Sequence, residues 1–165
     1  MLHPPSERTL LPRRRARRRR AGALAAILAA AGLAACSSSV TTVGGCGITA
    51  GTGCVGTYMK GGKMALADLY GANLSRADMR GAILDGANLD GATLDHTNLQ
   101  RADLRHAHLV NARFTNADLR GARFGGAWLD GASFLGAQGV TAAELEQGRV
   151  CRTLLSPGVY LNRDC

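Results

Sequence analysis

Histidine is the residue type in this chain that could most readily bind a metal ion or act as a general base. The four histidines are His3, His96, His106 and His108. His106 and His108 lie two residues apart, but no carboxylate or cysteine accompanies them at the spacing of a metal site. Such histidines are usually solvated surface residues, and no Ser-His-Asp arrangement or phosphate-binding loop stands out. We therefore predict no catalytic residue, no cofactor and no metal.

Cysteine is the second residue type with possible chemistry, as a zinc ligand or in disulfides. Zinc-binding cysteine pairs are usually separated by two to four residues. Here seven residues separate Cys46 from Cys54, and 13 separate Cys151 from Cys165. These spacings favour disulfides over a zinc site.

A large apolar residue recurs at every fifth position through the middle of the chain, and we call each one the centre of a unit. Alanine stands two residues before 13 of the 14 centres. Five residues of α-helix advance by about 500°, which would spread the centres around the helix. In a straight strand, successive centres would point to opposite faces. The period therefore predicts a chain that turns a corner after every unit, with the centre and the alanine inside. The centres are Leu69, Leu74, Met79, Leu84, Leu89, Leu94, Leu99, Leu104, Leu109, Phe114, Leu119, Phe124, Leu129 and Phe134.

This A-(D/N)-L-x-x pattern resembles the pentapeptide-repeat proteins. The resemblance is firm over residues 67–136 and weaker over 62–66 and 137–141, where Gly139 is the centre. It implies an all-β fold, a right-handed quadrilateral β-helix of about four coils over residues 62–141. Stacked coils leave an open end that requires a cap.

Residues 142–165 have the features of such a cap. Thr141 and Glu144 have capping-box spacing and predict a short helix over 142–147, which Gly148 ends. Two β-prone runs around Ser156-Pro157-Gly158 then predict a hairpin. Cys151 and Cys165 bracket it, and similar tails follow the repeats in some exported members of the family that the chain resembles.

The amino-terminal residues 1–35 have the order of a secretion signal. Seven arginines within 13–20 precede the apolar segment 21–35, which is shorter than the roughly 18–20 residues of a membrane span. The following "LAAC" resembles the lipobox of bacterial lipoproteins, which implies that Cys36 is diacylated and becomes the new first residue. We expect a membrane-anchored, extracytoplasmic protein. A buried alanine-rich helix is the alternative, and the choice between Sec and twin-arginine export stays open.

Residues 36–61 are rich in Gly, Ser and Thr and predict a flexible tether with one small cysteine loop. With Cys36 as the anchor, four cysteines remain, and they allow three pairings. Cys46–Cys54 and Cys151–Cys165 are the local ones, and export makes oxidation plausible. We expect the loop in the tether to contribute little to the solenoid and the carboxyl-terminal pair to guard its open end.

The charge of the whole chain is +8, but it is concentrated in the signal. Residues 1–35 contain eight Arg and one Glu, whereas the rest contains 12 basic and 11 acidic residues. The basic composition therefore does not indicate a nucleic-acid partner.

The exterior offers a few candidate contact residues. Residues 20 apart should stack on one side, which places Arg80, Gln100 and Arg120 in one ladder. Arg76, His96 and Asn116 should lie near the adjoining corner, with Arg101 close by; an ordinary solvated face is the alternative. Trp128 occupies a slot that is usually polar, so it either packs under the cap or marks a contact surface.

Three functions are compatible with these features. The first is a lipid-anchored scaffold or protein-interaction module, with a protein or cell-envelope partner and without catalytic activity. The second follows from the resemblance, because some cytoplasmic family members mimic duplex DNA and protect topoisomerases from quinolones. Eight basic and eight acidic residues in 62–141 and the export signal oppose that function. The third, an enzyme, has no supporting motif.

Overall fold

The computed structural model describes residues 42–165. The predicted signal (1–35), Cys36 and residues 37–41 lie outside this range. The elements in it are β1 (Thr42–Val43), β2 (Cys46–Gly47), α1 (Ala142–Leu145), β3 (Thr153–Ser156) and β4 (Val159–Leu161). β1 pairs with β2, and β3 with β4, each antiparallel. No helix in the described part of the chain has the length and apolarity needed to cross a membrane.

The five-residue period arises from a tight turn that recurs at every corner. After Leu69, the Ala72 amide donates to the Leu69 carbonyl at 3.0 Å, and Gly71 between them has φ 62°. A positive φ at the third residue is the feature of a type II turn, which favours glycine there. Each unit thus forms one short side followed by one corner.

Four such sides complete one coil. Parallel bridges join residues 20 apart, as between Asp68 and Asn88, and they continue along the chain from Gly53 to Gln138. The amide of Leu69 donates to the Asn88 carbonyl at 2.7 Å, so the backbone of each side is paired with the coil beside it. Twenty residues per coil and five per side give the four-sided β-helix that the family resemblance implies.

The interior is filled by the centres and the small residues two positions before them. Leu99 and Leu104 are fully buried, as are Ala102 and Ala107. Thr97, the one departure from alanine, is also buried, and its hydroxyl donates to the Leu74 carbonyl at 2.9 Å. A small residue is required because facing walls meet at the axis, and this threonine satisfies its polar atom within the core.

The coil begins earlier than the sequence predicts. Gly53 pairs with Asn73 and Tyr58 pairs with Asp78, while Cys54 and Met59 are each 1% exposed. Cys54 and Met59 therefore occupy centre positions, and the prediction of a flexible tether is wrong for this segment. Gly and Thr fill its small inward slots, which gave the segment the composition of a linker.

The β1–β2 hairpin lies against this first part of the coil. A Cβ on Gly62 would lie 2.8 Å from the Val43 side chain, and Gly44 is in close contact with the backbone carbonyl of Tyr58. Glycine fits so near the coil because it has no Cβ. The hairpin thereby contacts the amino-terminal end of the solenoid.

At the carboxyl-terminal end the coil continues with other residue types and with its register displaced by one residue. Gly139, the centre of the weak last unit, has φ 72°, and the chain leaves the regular coil there. Bridges then join residues 21 apart, Trp128 with Arg149 and Ser133 with Leu154. In this shifted register the buried Leu145 and Val150 follow Phe124 and Leu129, which gives the core further centres. The shifted centres are Leu145, Val150 and the partly buried Leu155.

Helix α1 lies in the segment where the spacing between paired residues changes from 20 to 21. Thr141 and Glu144 form the expected capping box, in which the Glu144 amide donates to Thr141 Oγ1 at 3.3 Å. The helix ends at Leu145 and not at the predicted residue 147, because the Gly148 amide turns back to the Leu145 carbonyl at 2.9 Å. Thr153 Oγ1 donates to the Leu129 carbonyl at 2.7 Å, the same contact that Thr97 makes within the repeats.

Candidate interaction surfaces

The ladder of Arg80, Gln100 and Arg120 forms on one side of the coil, but carboxylates from the same side neutralise it. Arg80 pairs with Asp78 at 2.7 Å and Arg120 pairs with Asp118 at 2.6 Å. Gln100 Nε2 also donates to Asp118 at 2.7 Å. Each acidic residue lies two positions before its arginine, and residues two apart share a side of an extended segment.

These contacts alter the acidity of the carboxylates. Hydrogen bonds from Arg80 hold the pKa of Asp78 below its usual value, and hydrogen bonds from Arg120 do so more strongly for Asp118. Partial burial opposes both shifts, and the Gln100 amide adds to the effect at Asp118. The ladder is therefore a row of ion pairs, and exposed pairs of this kind add little net stability.

A groove beside the ladder retains positive charge. Its lining residues are Lys60, Arg80, Gly81, Gln100 and Arg101. Gly81 lies one coil before Arg101 at the same corner, and because it has no side chain the groove stays open beside Arg80. Lys60 was not among the predicted contact residues, since it lies in the segment interpreted as a tether.

Arg76, His96 and Asn116 lie at one corner in three successive coils, as predicted. All three adopt left-handed backbone angles, with φ of 60°, 57° and 56°. Arg101, at the next corner, has φ 56°. Glycine is the usual residue at these positions, and a side chain there costs about 1–2 kcal/mol of backbone strain. Non-glycine residues in this conformation often have a local role, which makes this corner the best-marked exterior feature.

Trp128 lies on the exterior with 44% of its surface exposed, but both faces of its indole ring are in contact. The His108 ring stacks on it at 4.9 Å between centroids, and the Arg149 guanidinium lies 5.5 Å from the ring on the shifted coil. Arg149 also pairs with Asp130 at 3.2 Å. Trp128 thus attaches the shifted coil to the repeats, and only its edge is available to a partner. Sequence analysis did not identify His108 and Arg149 as contacts of Trp128, although His108 lies 20 residues before it and therefore stacks on the same side.

The three histidines within the described residues do not assemble into a metal site. His106 Nδ1 lies 3.0 Å from an Asp85 oxygen at one corner, whereas His108 stacks on Trp128 at the centre of a side. Within residues 42–165 no three His, Cys, Asp or Glu side chains are close enough to hold an ion.

The family profile described as "Pentapeptide repeats" matches residues 63–101 and 97–134, in eight copies. The repeat region belongs to the pentapeptide-repeat family. The family predicted from the A-(D/N)-L-x-x pattern is thereby confirmed, and its members imply a right-handed quadrilateral β-helix for the coil. No curated protein matches the chain significantly.

Solved structures of other pentapeptide-repeat proteins are similar to this chain. Rfr23 from the cyanobacterium Cyanothece 51142 is 32% identical over 54% of this chain and 62% of its own, with a TM-score of 0.36. A protein of the Arabidopsis thaliana thylakoid lumen is 30% identical over 51% and 62%, with a TM-score of 0.26. HetL of Nostoc sp. strain PCC 7120, involved in heterocyst differentiation regulation, is 27% identical over 68% and 63%, with a TM-score of 0.37. The chain thus spans about three fifths of the length of these relatives.

Two disulfides lie at opposite ends of the pentapeptide coil. Cys46 pairs with Cys54 across a Cα–Cα distance of 5.7 Å, and Cys151 pairs with Cys165 across 5.0 Å. The first bridge ties the β1–β2 hairpin to the centre position of Cys54. The second joins the shifted coil to the chain after β4. Neither bridge leaves its cysteines available for zinc.

Proposed function

We propose that this protein is a lipid-anchored, extracytoplasmic pentapeptide-repeat scaffold that binds a protein or cell-envelope partner through its exterior and catalyses no reaction. The observation that carries this proposal is the filled core. Every centre from Met59 to Phe134 is at most 2% exposed, so side chains occupy the axis of the coil and leave the exterior as the binding surface. A rigid post with such an interior is suited to positioning other molecules.

The ends of the post support the same function. We infer that the coil has about four turns and that α1 with the β3–β4 hairpin caps its carboxyl-terminal end. Buried Leu145 and Val150 cover the last aromatic layer, and β3 pairs with the final regular side. A solenoid needs capped ends to stay soluble, because an open coil presents unpaired strand edges. Disulfides at both ends suit an oxidising, extracytoplasmic compartment.

Cys36 is the proposed attachment point. The order of arginine run, apolar segment and "LAAC" supports diacylation at this residue. Two acyl chains give stable attachment, whereas one gives only marginal binding. Cys36→Ser should therefore abolish incorporation of a fatty-acid analogue and move the protein out of the membrane fraction, while Ser38→Ala should leave both unchanged. Equal labelling of Cys36→Ser and the parent protein would refute the anchor.

The partner surface is proposed at the corner of Arg76 and His96 and the adjacent groove of Arg101. A photocrosslinking residue at position 101 tests this in the native host. Position 111 is the matched control, because Asn111 has a similar φ of 58° and lies at the corner opposite Arg101. We expect a protein adduct from position 101 and none from position 111; adducts of equal yield from both would remove the preference for this side.

A further inference from the structure

The first coil, residues 51–70, exposes a cluster of apolar and aromatic side chains that the part of the chain from residue 71 to residue 127 lacks. Its centres are Cys54, Met59, Met64 and Leu69, one for each side. Each side or its corner also carries an exposed apolar or aromatic residue. These are Val55 (53% exposed), Tyr58 (63%), Leu66 (83%) and Tyr70 (59%). From residue 71 to residue 127, Ile83 at 39% is the one large hydrophobic residue exposed among those described. The other exposed ones, towards the carboxyl-terminal end, are Trp128, Leu135, Val159 and Tyr160.

The charge of this end is also distinct. Residues 42–59 contain no charged side chain, and the two lysines of the entire chain, Lys60 and Lys63, follow directly. Both are exposed, and the first carboxylate after them is Asp68. The uncharged segment 42–59, which we call the tip, is therefore followed directly by two lysines. The exposed residues Val55, Tyr58, Leu66 and Tyr70 form what we call the belt. Tyrosine favours the membrane–water interface, and lysine favours anionic headgroups.

The arrangement of the belt indicates the geometry of its partner. A protein that docked on the flank of the coil would cover one side, whereas Val55, Tyr58, Leu66 and Tyr70 are spread over all four. A ring at one height is contacted on every side only by a surface that lies across the coil axis. A lipid bilayer that receives the end of the rod is such a surface.

The chain between the anchor and the coil is short. Only residues 37–41 separate Cys36 from Thr42. A chain extends by at most about 3.3–3.6 Å per residue, so Thr42 would lie within about 20 Å of an acylated Cys36. The first coil would then be the part of the described structure held nearest to the lipid.

We propose that the first coil seats end-on in the headgroup layer of an anionic bilayer and holds the rod upright on the membrane. This inference rests on the proposed lipid anchor at Cys36. The uncharged tip enters the interface, Tyr58 and Tyr70 lie at the headgroup level, and Lys60 and Lys63 contact anionic lipid. The carboxyl-terminal end, with Trp128, stands away from the membrane.

Quenching of tryptophan fluorescence by brominated acyl chains tests this orientation. The acylated protein is reconstituted into vesicles of phosphatidylglycerol and phosphatidylcholine that carry brominated chains. Trp128 is the one native tryptophan, and the double variant Tyr70→Trp with Trp128→Phe moves the fluorophore into the first coil. We expect the fluorescence at position 70 to be quenched and that of native Trp128 to stay unchanged. Position 70 left unquenched, or both positions quenched alike, overturns the end-on seating.

A charge variant tests the role of the two lysines. Lys60→Gln with Lys63→Gln, in the Tyr70→Trp and Trp128→Phe background, should shift the seated-to-unseated ratio by roughly fivefold per lysine on anionic vesicles. The effect should vanish on vesicles of phosphatidylcholine alone. A shift of the same size on both vesicle types, or no shift, overturns the contact with anionic lipid.

Two further measurements separate the possible failures. Mass spectrometry shows whether Cys36 carries its acyl chains; their absence overturns the proposed anchor and this inference together. If Cys36 is acylated and position 70 is unquenched, the inference alone fails. Light scattering of the solubilised protein identifies the competing case, in which a second copy covers the first coil end to end, and a dimer that loses its association on Tyr58→Ser would assign the belt to that contact.

Discussion

Replacement of Cys46 and Cys54 by alanine should destabilise the amino-terminal end of the solenoid. The sequence alone predicted a nearly silent change, because the bridge was placed in a flexible tether. In the structure Cys54 is a core centre at 1% exposure, and Cys46, at 6%, fastens the β1–β2 hairpin to it. Without the bridge, the hairpin is held to the first coil by packing alone.

The magnitude follows from the size of the loop that the bridge closes. A sequence separation of eight residues gives a loop whose loss of unfolded-state entropy is about 2.5 kcal/mol in the chain-entropy model. The Cys151–Cys165 separation of 14 residues gives about 3 kcal/mol. We therefore expect the two double-alanine variants to lose similar amounts of stability, within about 1 kcal/mol of each other.

The assay must distinguish loss of one end from loss of the whole fold, since a solenoid can unfold from its terminus. Hydrogen exchange does so. The amides of Gly51 and Met59 donate to Tyr70 and Asp78 in the next coil, and their exchange should accelerate in the amino-terminal variant. The amide of Leu99 in the middle of the coil should change less.

The carboxyl-terminal variant, Cys151→Ala with Cys165→Ala, is the matched control. It should accelerate exchange near the shifted coil, where the Leu129 amide donates to Arg149, and leave Gly51 unaffected. If the amino-terminal variant matched the parent protein both in its urea midpoint and in exchange at Gly51, the closure of that end by the Cys46–Cys54 bridge would be refuted.

Three further predictions concern the coil itself. Gly91→Ala should cost about 1 kcal/mol, because φ is 67° and a Cβ there meets no atom within 4 Å. Gly139→Ala has a similar φ of 72° but places its Cβ 2.6 Å from backbone of the adjacent coil, so it should cost about 1–3 kcal/mol more, and equal urea midpoints for the two variants would contradict this. Leu99→Ala should cost about 2–5 kcal/mol and Gln100→Ala under about 1 kcal/mol; comparable losses in chemical denaturation would reverse the inward and outward assignment. The depressed pKa of Asp118 stabilises the fold above the ordinary carboxyl pKa of about 3.9 and ceases to do so as the pH falls further. Thermal melts of Asp118→Asn should accordingly lose less stability below about pH 4 than those of the parent protein, and parallel acid profiles would exclude this carboxylate as a contributor.

The regular coil could be predicted because its constraint is local and repeated. Each unit requires a small residue inside, a larger apolar centre two positions later and a turn that tolerates a positive φ. Ala67, Leu69 and Gly71 meet these requirements in the commonest form. The inward and outward positions therefore follow from the residue types, before any contact between coils is known.

The two ends were harder to predict because they meet the same constraints with other residues. Thr57 and Met59 serve as the small residue and the centre near the start, and Thr153 and Leu155 serve at the end. A search for alanine and leucine at a fixed period misses both. At the carboxyl end α1 also displaces the period by one residue, so the register of Leu145 becomes visible only from the bridges between coils.

The surface could be predicted only in outline. The 20-residue spacing correctly placed Arg80 and Gln100 in adjacent coils on one side. The prediction that this side is basic also assumed that its arginines have no acidic partners. Asp78 lies two residues before Arg80, on the same side of the same short segment, and it pairs with that arginine. The alternation of strand faces would have indicated this pairing from the sequence.

A rigid coil attached at the proposed anchor would hold its exterior side chains in fixed positions relative to the first coil. Each coil adds about 4.8 Å along the axis, and backbone hydrogen bonds to both neighbours hold it in place. A contact made by Arg76 and His96 would therefore be kept at a fixed height and direction relative to the first coil. A flexible linker of the same length would provide reach without direction. The repeats carry nearly balanced charge, so we expect selectivity to come from individual side chains, above all at the non-glycine corners, where the chain accepts backbone strain to place a side chain outward.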